Sequence, residues 1–128
     1  MNIDTTDWKD LREFKDVDLA QSFVLSWIVE SGSLLVDVDL FLCPEHAFYE
    51  KPRPAEKACY RPAFLDFPRC EEATDSRRLT YLADSVRKLR PGRIHGFKRV
   101  GEGKYEINGE FGTVAIRAER PMIRLKNL

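Results

Sequence analysis

The sequence predicts a mainly β protein with a minor α component, an antiparallel twisted sheet or small sandwich built from hairpins, with one or two covering helices. Apolar and polar residues alternate through residues 22–42, on both sides of a Ser31-Gly32-Ser33 turn signal. The last third of the chain holds further short alternating runs separated by glycine-containing turns. With 128 residues, 43% of them hydrophobic, the chain is expected to form a single domain, residues 1–128.

Residues 5–15 are predicted to form a short amphipathic helix. Trp8, Leu11 and Phe14 recur at intervals of three, and a threonine precedes them as a possible cap. This apolar stripe is narrow, so the helix is expected to lie over one edge or end of the sheet.

The hairpin at residues 22–42 is the element around which the rest is organised. Its buried face is predicted to contain Phe23, Leu25, Trp27, Val29, Leu34, Val36, Val38, Leu40 and Leu42. The two loop residues are either Gly32-Ser33 or Ser31-Gly32, and both choices leave the same side chains on the buried face. The sequence therefore predicts this face and leaves the strand register open.

Prolines mark the middle of the chain. Residues 43–58 are predicted to form a long loop, stiffened by prolines at positions 44, 52 and 54. Residues 59–67 are predicted to form a strand. Because Pro62 and Pro68 cannot donate to a ladder, this strand is expected at an edge of the sheet or at a bulge.

Residues 76–90 are predicted to form a helix, because leucine and valine recur there at intervals of three and four. Pro91-Gly92 is expected to end it. The alternative is a shorter helix preceded by a strand at residues 78–82.

The C-terminal third is predicted to be a meander. Strands are expected at residues 93–100, 104–107 and 113–119, and a two-residue apolar period resumes after Pro121. Asn108-Gly109 is the strongest short hairpin signal in the chain. In the first of these strands, strict alternation places Ile94 and Phe97 on opposite faces.

The charges cancel overall and are unevenly distributed. Residues 1–75 carry 16 acidic and 8 basic side chains, whereas residues 76–128 carry 5 acidic and 13 basic ones. The two halves are expected to interleave in one sheet, where their opposite charges attract. Because the net charge of the chain is zero, non-specific binding to nucleic acid is not expected, although basic residues cluster between positions 77 and 99.

The N-terminal residues lack the basic start and apolar run of a signal peptide, and no apolar run has the length of a membrane span. A cytoplasmic protein without membrane contact is therefore expected. Three widely spaced cysteines favour reduced thiols over a disulfide framework.

The common catalytic signatures are absent, and the only histidines are His46 and His95. Cys43, His46 and Cys59 are weak candidates for a metal site, since thiolates and imidazole are zinc ligands. Cys70 follows at the far end of an extended strand, too distant to join them. No metal, no cofactor and no catalytic residue are therefore expected.

The loop at residues 43–58 combines charge, aromatic rings and rigid proline, a composition typical of recognition surfaces. Its candidate binding residues are His46, Tyr49, Arg53 and Glu56.

The function that these patterns favour is a small, non-enzymatic binding or interaction module of a bacterial-type cytoplasmic protein. It is expected to bind a protein partner or to associate with itself, for example as a homodimer. Two alternatives stay open. One is a metal-binding protein that uses Cys43, His46 and Cys59, and the other is a small enzyme in which His46 or His95 acts with a carboxylate such as Glu45 or Asp66.

Overall fold

The computed structural model describes residues 5–52, 54, 59–74 and 82–126. Nine strands in these residues form one twisted, open antiparallel sheet, which confirms the mainly β prediction. The strands are β1 (Thr6–Asp7), β2 (Val17–Glu30), β3 (Ser33–Leu42), β4 (Tyr60–Phe67), β5 (Glu72–Thr74), β6 (Gly92–Gly101), β7 (Lys104–Gly109), β8 (Gly112–Arg117) and β9 (Met122–Leu125).

The strand order is β5-β8-β7-β6-β2-β3-β4-β9, and β1 pairs with β6. We call β2, β3, β4 and β9 the first wing, and β6, β7, β8 and β5 the second wing. The sheet curls so that both wings enclose one core. Phe67 of the first wing lies 6.1 Å from Phe97 and 5.7 Å from Tyr105 of the second, measured between ring centroids.

The acidic and basic halves of the chain interleave as expected. Among the described residues, three ion pairs join a carboxylate of the first half to a cation of the second: Asp37–Lys126, Asp66–Arg124 and Glu71–Arg117. In this part of the chain, the sequence asymmetry thus corresponds to strand pairing between the halves.

The central hairpin forms with the loop Ser31-Gly32, the second of the two predicted choices. Both loop residues have positive φ, 51° and 81°, as a type I′ turn requires. Trp27 consequently pairs with Val36. The five predicted apolar residues of β3 are all buried in the core: Leu34, Val36, Val38, Leu40 and Leu42.

The predicted buried face of β2 is wrong for Phe23 and Leu25, which are exposed. The register with β3 shifts between Asp18 and Phe23 and again between Val24 and Ser26, so strict alternation is lost. Ser22 bridges the first irregularity. Its hydroxyl donates to the Asp18 carbonyl at 2.8 Å and accepts from the Phe41 N–H at 3.0 Å.

The predicted α-helix at residues 5–15 is also wrong. These residues form β1 and two short 3₁₀ helices, Trp8–Asp10 and Arg12–Phe14. A 3₁₀ helix has three residues per turn, which is the spacing of the apolar residues. Trp8, Leu11 and Phe14 are buried, so the stripe was identified correctly and its helix type was not.

The strand predicted at residues 59–67 is β4, but it lies inside the sheet, between β3 and β9. Pro62 is tolerated because it lies opposite the end of β9, where one hydrogen bond of the ladder can be absent. Lys126 donates its N–H to the Pro62 carbonyl at 3.1 Å, and the reciprocal bond would need the N–H that proline lacks. The regular β4–β9 pairs begin one residue later, at Ala63.

Ile94 and Phe97 are both in the core, which corrects their predicted placement on opposite faces. The pairing of β6 with β7 skips His95: Ile94 pairs with Gly109, and Gly96 pairs with Asn108. One extra residue in β6 therefore returns Phe97 to the inner face.

The predicted Asn108-Gly109 hairpin exists, but its turn lies at Glu110-Phe111 and both predicted turn residues belong to β7. Gly109 packs directly against the Arg93 carbonyl oxygen, where a Cβ would overlap it. The glycine thus permits a close backbone approach and does not form the turn.

The helix predicted at residues 76–90 is shorter where it is described. The α-helix α1 spans Leu82–Arg87 and lies against β5 and β2, while residues 75–81 are outside the described part of the chain. The alternative strand at residues 78–82 falls mostly on those residues. No helix in the described residues is long and apolar enough to span a membrane.

Candidate functional site

The predicted recognition loop is described only in part. The His46 ring is half-buried, and its Nδ1 accepts a hydrogen bond from the Phe48 N–H at 3.0 Å. Tyr49 packs against the core. Arg53 and Glu56 are outside the described residues. The binding role of this loop stays a prediction.

The weak metal candidates Cys43, His46 and Cys59 all lie in the described residues, and no group of three His, Cys, Asp or Glu side chains there is placed to hold a metal ion. The Cys59 Sγ instead accepts the Glu50 N–H at 3.5 Å. Burial is also the largest cause that raises the pKa of the thiols of Cys43 and Cys70, the latter to about 11.

The acid–base hypothesis requires a histidine paired with a carboxylate, and the described part of the chain contains no such ion pair. His95 is exposed on β6, and no ion pair between described residues joins it or His46 to a carboxylate. Asp66 is engaged elsewhere, with Arg124.

The structure reveals a different candidate surface, on the side of the first wing that faces away from the core. Its four strands align side chains in cross-strand rows. We call this surface the outer face; it consists of Phe23, Ser26, Ile28 and Glu30 on β2, Ser33, Leu35, Asp37, Asp39 and Phe41 on β3, Tyr60, Pro62, Phe64 and Asp66 on β4, and Met122, Arg124 and Lys126 at β9.

The outer face exposes large apolar side chains. Phe23 is 38% exposed, Ile28 37% and Met122 53%, and Leu25 at the edge of the face is 51% exposed. The corresponding side of the second wing is polar; it presents Lys98, Lys104, Glu106, Asn108, Thr113 and Arg117. One side of a single sheet is therefore apolar on one wing and polar on the other.

Two ion pairs cross the outer face. Arg124 Nη1 lies 3.0 Å from Asp66 Oδ2, and Lys126 Nζ pairs with Asp37 Oδ1 while also lying over the Phe64 ring. Asp66 is 6% exposed, and its other oxygen, Oδ1, is buried without a hydrogen-bond partner. An unsatisfied buried carboxylate oxygen is uncommon and calls for a structural or functional reason.

Asp39 is the carboxylate near the middle of the outer face. Phe23 is directly opposite it on β2 and Pro62 is directly opposite on β4. No ion pair or hydrogen bond joins its side chain to any described residue. Burial raises the pKa of Asp39, nearby Asp37 raises it further, and Lys126 lowers it.

Three aromatic residues occupy positions next to Asp39 on the same face of the sheet: Phe23 is its partner on β2, Phe41 follows two residues later on β3, and Tyr60 is the partner of Phe41 on β4. The Tyr60 ring is 5.5 Å from Phe41 in an edge-to-face arrangement and 6.1 Å from Phe23, measured between centroids. The Phe23–Tyr60 contact reaches across β3, where Asp39 and Phe41 project on the same side. The outer face thus combines a cluster of aromatic rings with a carboxylate that has no hydrogen bond or ion pair among the described residues.

The outer face, as a surface formed by four strands, was not predicted from the sequence. A signal was present in β4, where Tyr60 and Phe64 alternate with Ala63 and Leu65, so both faces of the strand are apolar. Such a pattern is typical of a strand that is covered on both sides. The sequence does not show the strand order, so β4 could not be joined to the apolar residues of β2 and β9.

Comparisons with models of protein families, with curated proteins and with solved structures found no match to this chain.

Proposed function

We propose that this protein is a non-enzymatic interaction module that binds a protein partner through the outer face of its first wing. The observation that carries the proposal is the contrast between the two wings. The first wing exposes Phe23, Leu25, Ile28 and Met122, whereas the corresponding side of the second wing presents mainly polar side chains. Exposed apolar surface rimmed by polar groups is a mark of interaction sites on a folded protein.

The internal order of the outer face also supports this proposal. The strands that display it are paired along most of their length, so its side chains have a fixed register. A rigid surface loses little conformational entropy when a partner covers it. The two ion pairs add polar groups to an apolar surface, a mixture that is common in interfaces between proteins.

The test compares a substitution on the outer face with a matched one on the second wing. Ile28→Lys places a charge among the apolar residues of the outer face, and Thr113→Lys places the same charge at an exposed strand position of β8. Each tagged variant and the wild type would be expressed in the protein's own cells and purified gently. The associated proteins would be quantified by mass spectrometry.

We expect a partner that co-purifies with the wild type and Thr113→Lys and is lost, by roughly tenfold or more, with Ile28→Lys. Thermal unfolding of both variants controls for loss of the fold. A partner retained by Ile28→Lys would place the binding site elsewhere and contradict the proposal. The predicted loop around His46 would then be the next surface to test. The cytoplasmic location assumed in this design stays a prediction.

A further inference from the structure

We propose that the outer face binds an arginine side chain presented by a separate protein partner, with Asp39 receiving the guanidinium group and the rings of Phe23, Phe41 and Tyr60 lying beside it. This inference rests on the proposed function, because it identifies the chemistry of the partner for the same surface.

The position of Asp39 on the outer face favours a partner that carries a positive charge. The cations of the outer face, Arg124 and Lys126, are already paired with Asp66 and Asp37. A partner that covered the face without supplying a cation would bury the ionised carboxylate of Asp39 unpaired, which is strongly unfavourable. A partner that supplies a cation converts this cost into a charge-assisted hydrogen bond.

The rings around Asp39 favour arginine over lysine. A guanidinium group is planar, donates two parallel hydrogen bonds to one carboxylate and stacks on aromatic faces. Tyr60 lies within 6.1 Å of both Phe23 and Phe41, so the rings form a cluster next to the carboxylate. The ammonium group of lysine is a more strongly hydrated point charge and gains less from such a cluster.

The charge of the outer face also favours a separate chain over a second copy. The face carries the carboxylates of Glu30, Asp37, Asp39 and Asp66 against the cations of Arg124 and Lys126. If two copies were joined by their outer faces, two acidic surfaces would be opposed, and the available cations are already paired. A chain with basic residues among apolar ones complements this surface in both charge and polarity.

The test selects peptides from a phage-displayed library of random linear sequences, with the purified full-length protein as the target. Selected peptides would be synthesised with arginine or with citrulline, which has a similar shape and no charge. Their affinities would be measured for the wild type, for Ile28→Lys, and for a matched pair of variants, Asp39→Asn and Glu30→Gln. The two variants remove the same charge, one at the centre of the outer face and one at its rim.

We expect the selected peptides to contain arginine beside apolar residues. Citrulline and Asp39→Asn should each weaken binding by about tenfold or more, whereas Glu30→Gln should change it by less than about threefold. Thermal unfolding would verify that each variant is folded. Sedimentation of the free protein should show a monomer.

Three results would overturn the inference. Peptides that need Ile28 and bind without arginine, or that tolerate Asp39→Asn, would refute the arginine partner and leave the proposed function standing. Peptides selected at any other surface, or none selected at all, would count against the proposed function as well. Dimers that dissociate in the Ile28→Lys variant would show that the face is occupied by a second copy.

Discussion

The Asp39 carboxylate lowers the stability of the free protein, and the same group is proposed to bind the partner. Its carboxyl is partly buried beside Asp37, and the structure gives its ionised form no hydrogen bond among the described residues. An ionised group in such a position destabilises the folded protein relative to the unfolded chain. Residues that reduce stability in this way are common at binding sites, where the partner supplies the missing contact.

Asp39→Asn is therefore expected to stabilise the free protein at neutral pH. The folded pKa is raised above the ordinary value of 3.8, so the folded state binds more protons than the unfolded state between these two values. Asp39 thus lowers the stability of the wild type as the pH rises through this window, and the variant lacks this contribution. The difference should vanish below the ordinary value.

The measurement is urea unfolding of both proteins from neutral pH to about pH 2.8, where unfolded-state carboxyls are about nine-tenths protonated. If Asp39→Asn were less stable than the wild type at neutral pH, the carboxylate would have a stabilising partner in the free protein. The argument for an arginine partner would then lose its basis.

The residue pattern predicted the buried side of β3 correctly, since Val36 and Val38 continue an unbroken two-residue period. It failed in β2 because a bulge is a property of two paired strands. Leu25 has no counterpart in β3, and this offset becomes visible only when Val24 and Ser26 are matched to their partners. One extra residue of this kind moves every later side chain to the other face.

At the scale of the elements, Gly109 was predicted to form a turn, whereas in the structure it is a site of close packing. Gly109 lies within β7, against the Arg93 carbonyl oxygen and the Phe111 ring. The sequence alone does not show that the backbones of β6 and the end of β7 come so close together. The hairpin was therefore predictable from its glycine, whereas its exact turn was not.

Gly109→Ala is expected to destabilise the protein by about 1–3 kcal/mol, since the added methyl group would overlap atoms that cannot all move away. Gly101→Ala is the matched control, because its Cβ would meet only Lys104 side-chain atoms at 3.7 Å and 3.9 Å. That change should be neutral or stabilising by up to about 1 kcal/mol. Equal effects of the two changes in urea unfolding would contradict the close approach at Gly109.

At the scale of the whole molecule, the candidate surface arises from pairing between distant parts of the chain. The outer face joins β2 and β3 to β9 near the C-terminus, with β4 between them. Local periodicity predicted most of these strands, and the uneven distribution of charge predicted the interleaving of the acidic and basic halves. It could not predict which strands would be neighbours, and the outer face is a consequence of that order.

The curled sheet explains why the inner sides of the two wings are alike and leaves their outer sides free to differ. Both contribute to one core through their inner sides, with Phe67 of β4 in contact with Phe97 of β6. The inner sides must be apolar for this reason, and stability makes no such demand on the outer sides. The core therefore does not require the exposed apolar side chains of the outer face, such as Ile28 and Met122, and the proposed binding role gives a reason for them.

The most direct test of this account is photo-crosslinking in living cells, with benzoylphenylalanine introduced at Ile28 on the outer face or at Thr113 on the second wing. The account predicts a specific higher-mass adduct from position 28 that is weak or missing from position 113. The adduct should contain one copy of this chain and a different protein. Adducts from position 113 alone, or equal adducts from both positions, would contradict the proposal that the outer face is the binding surface.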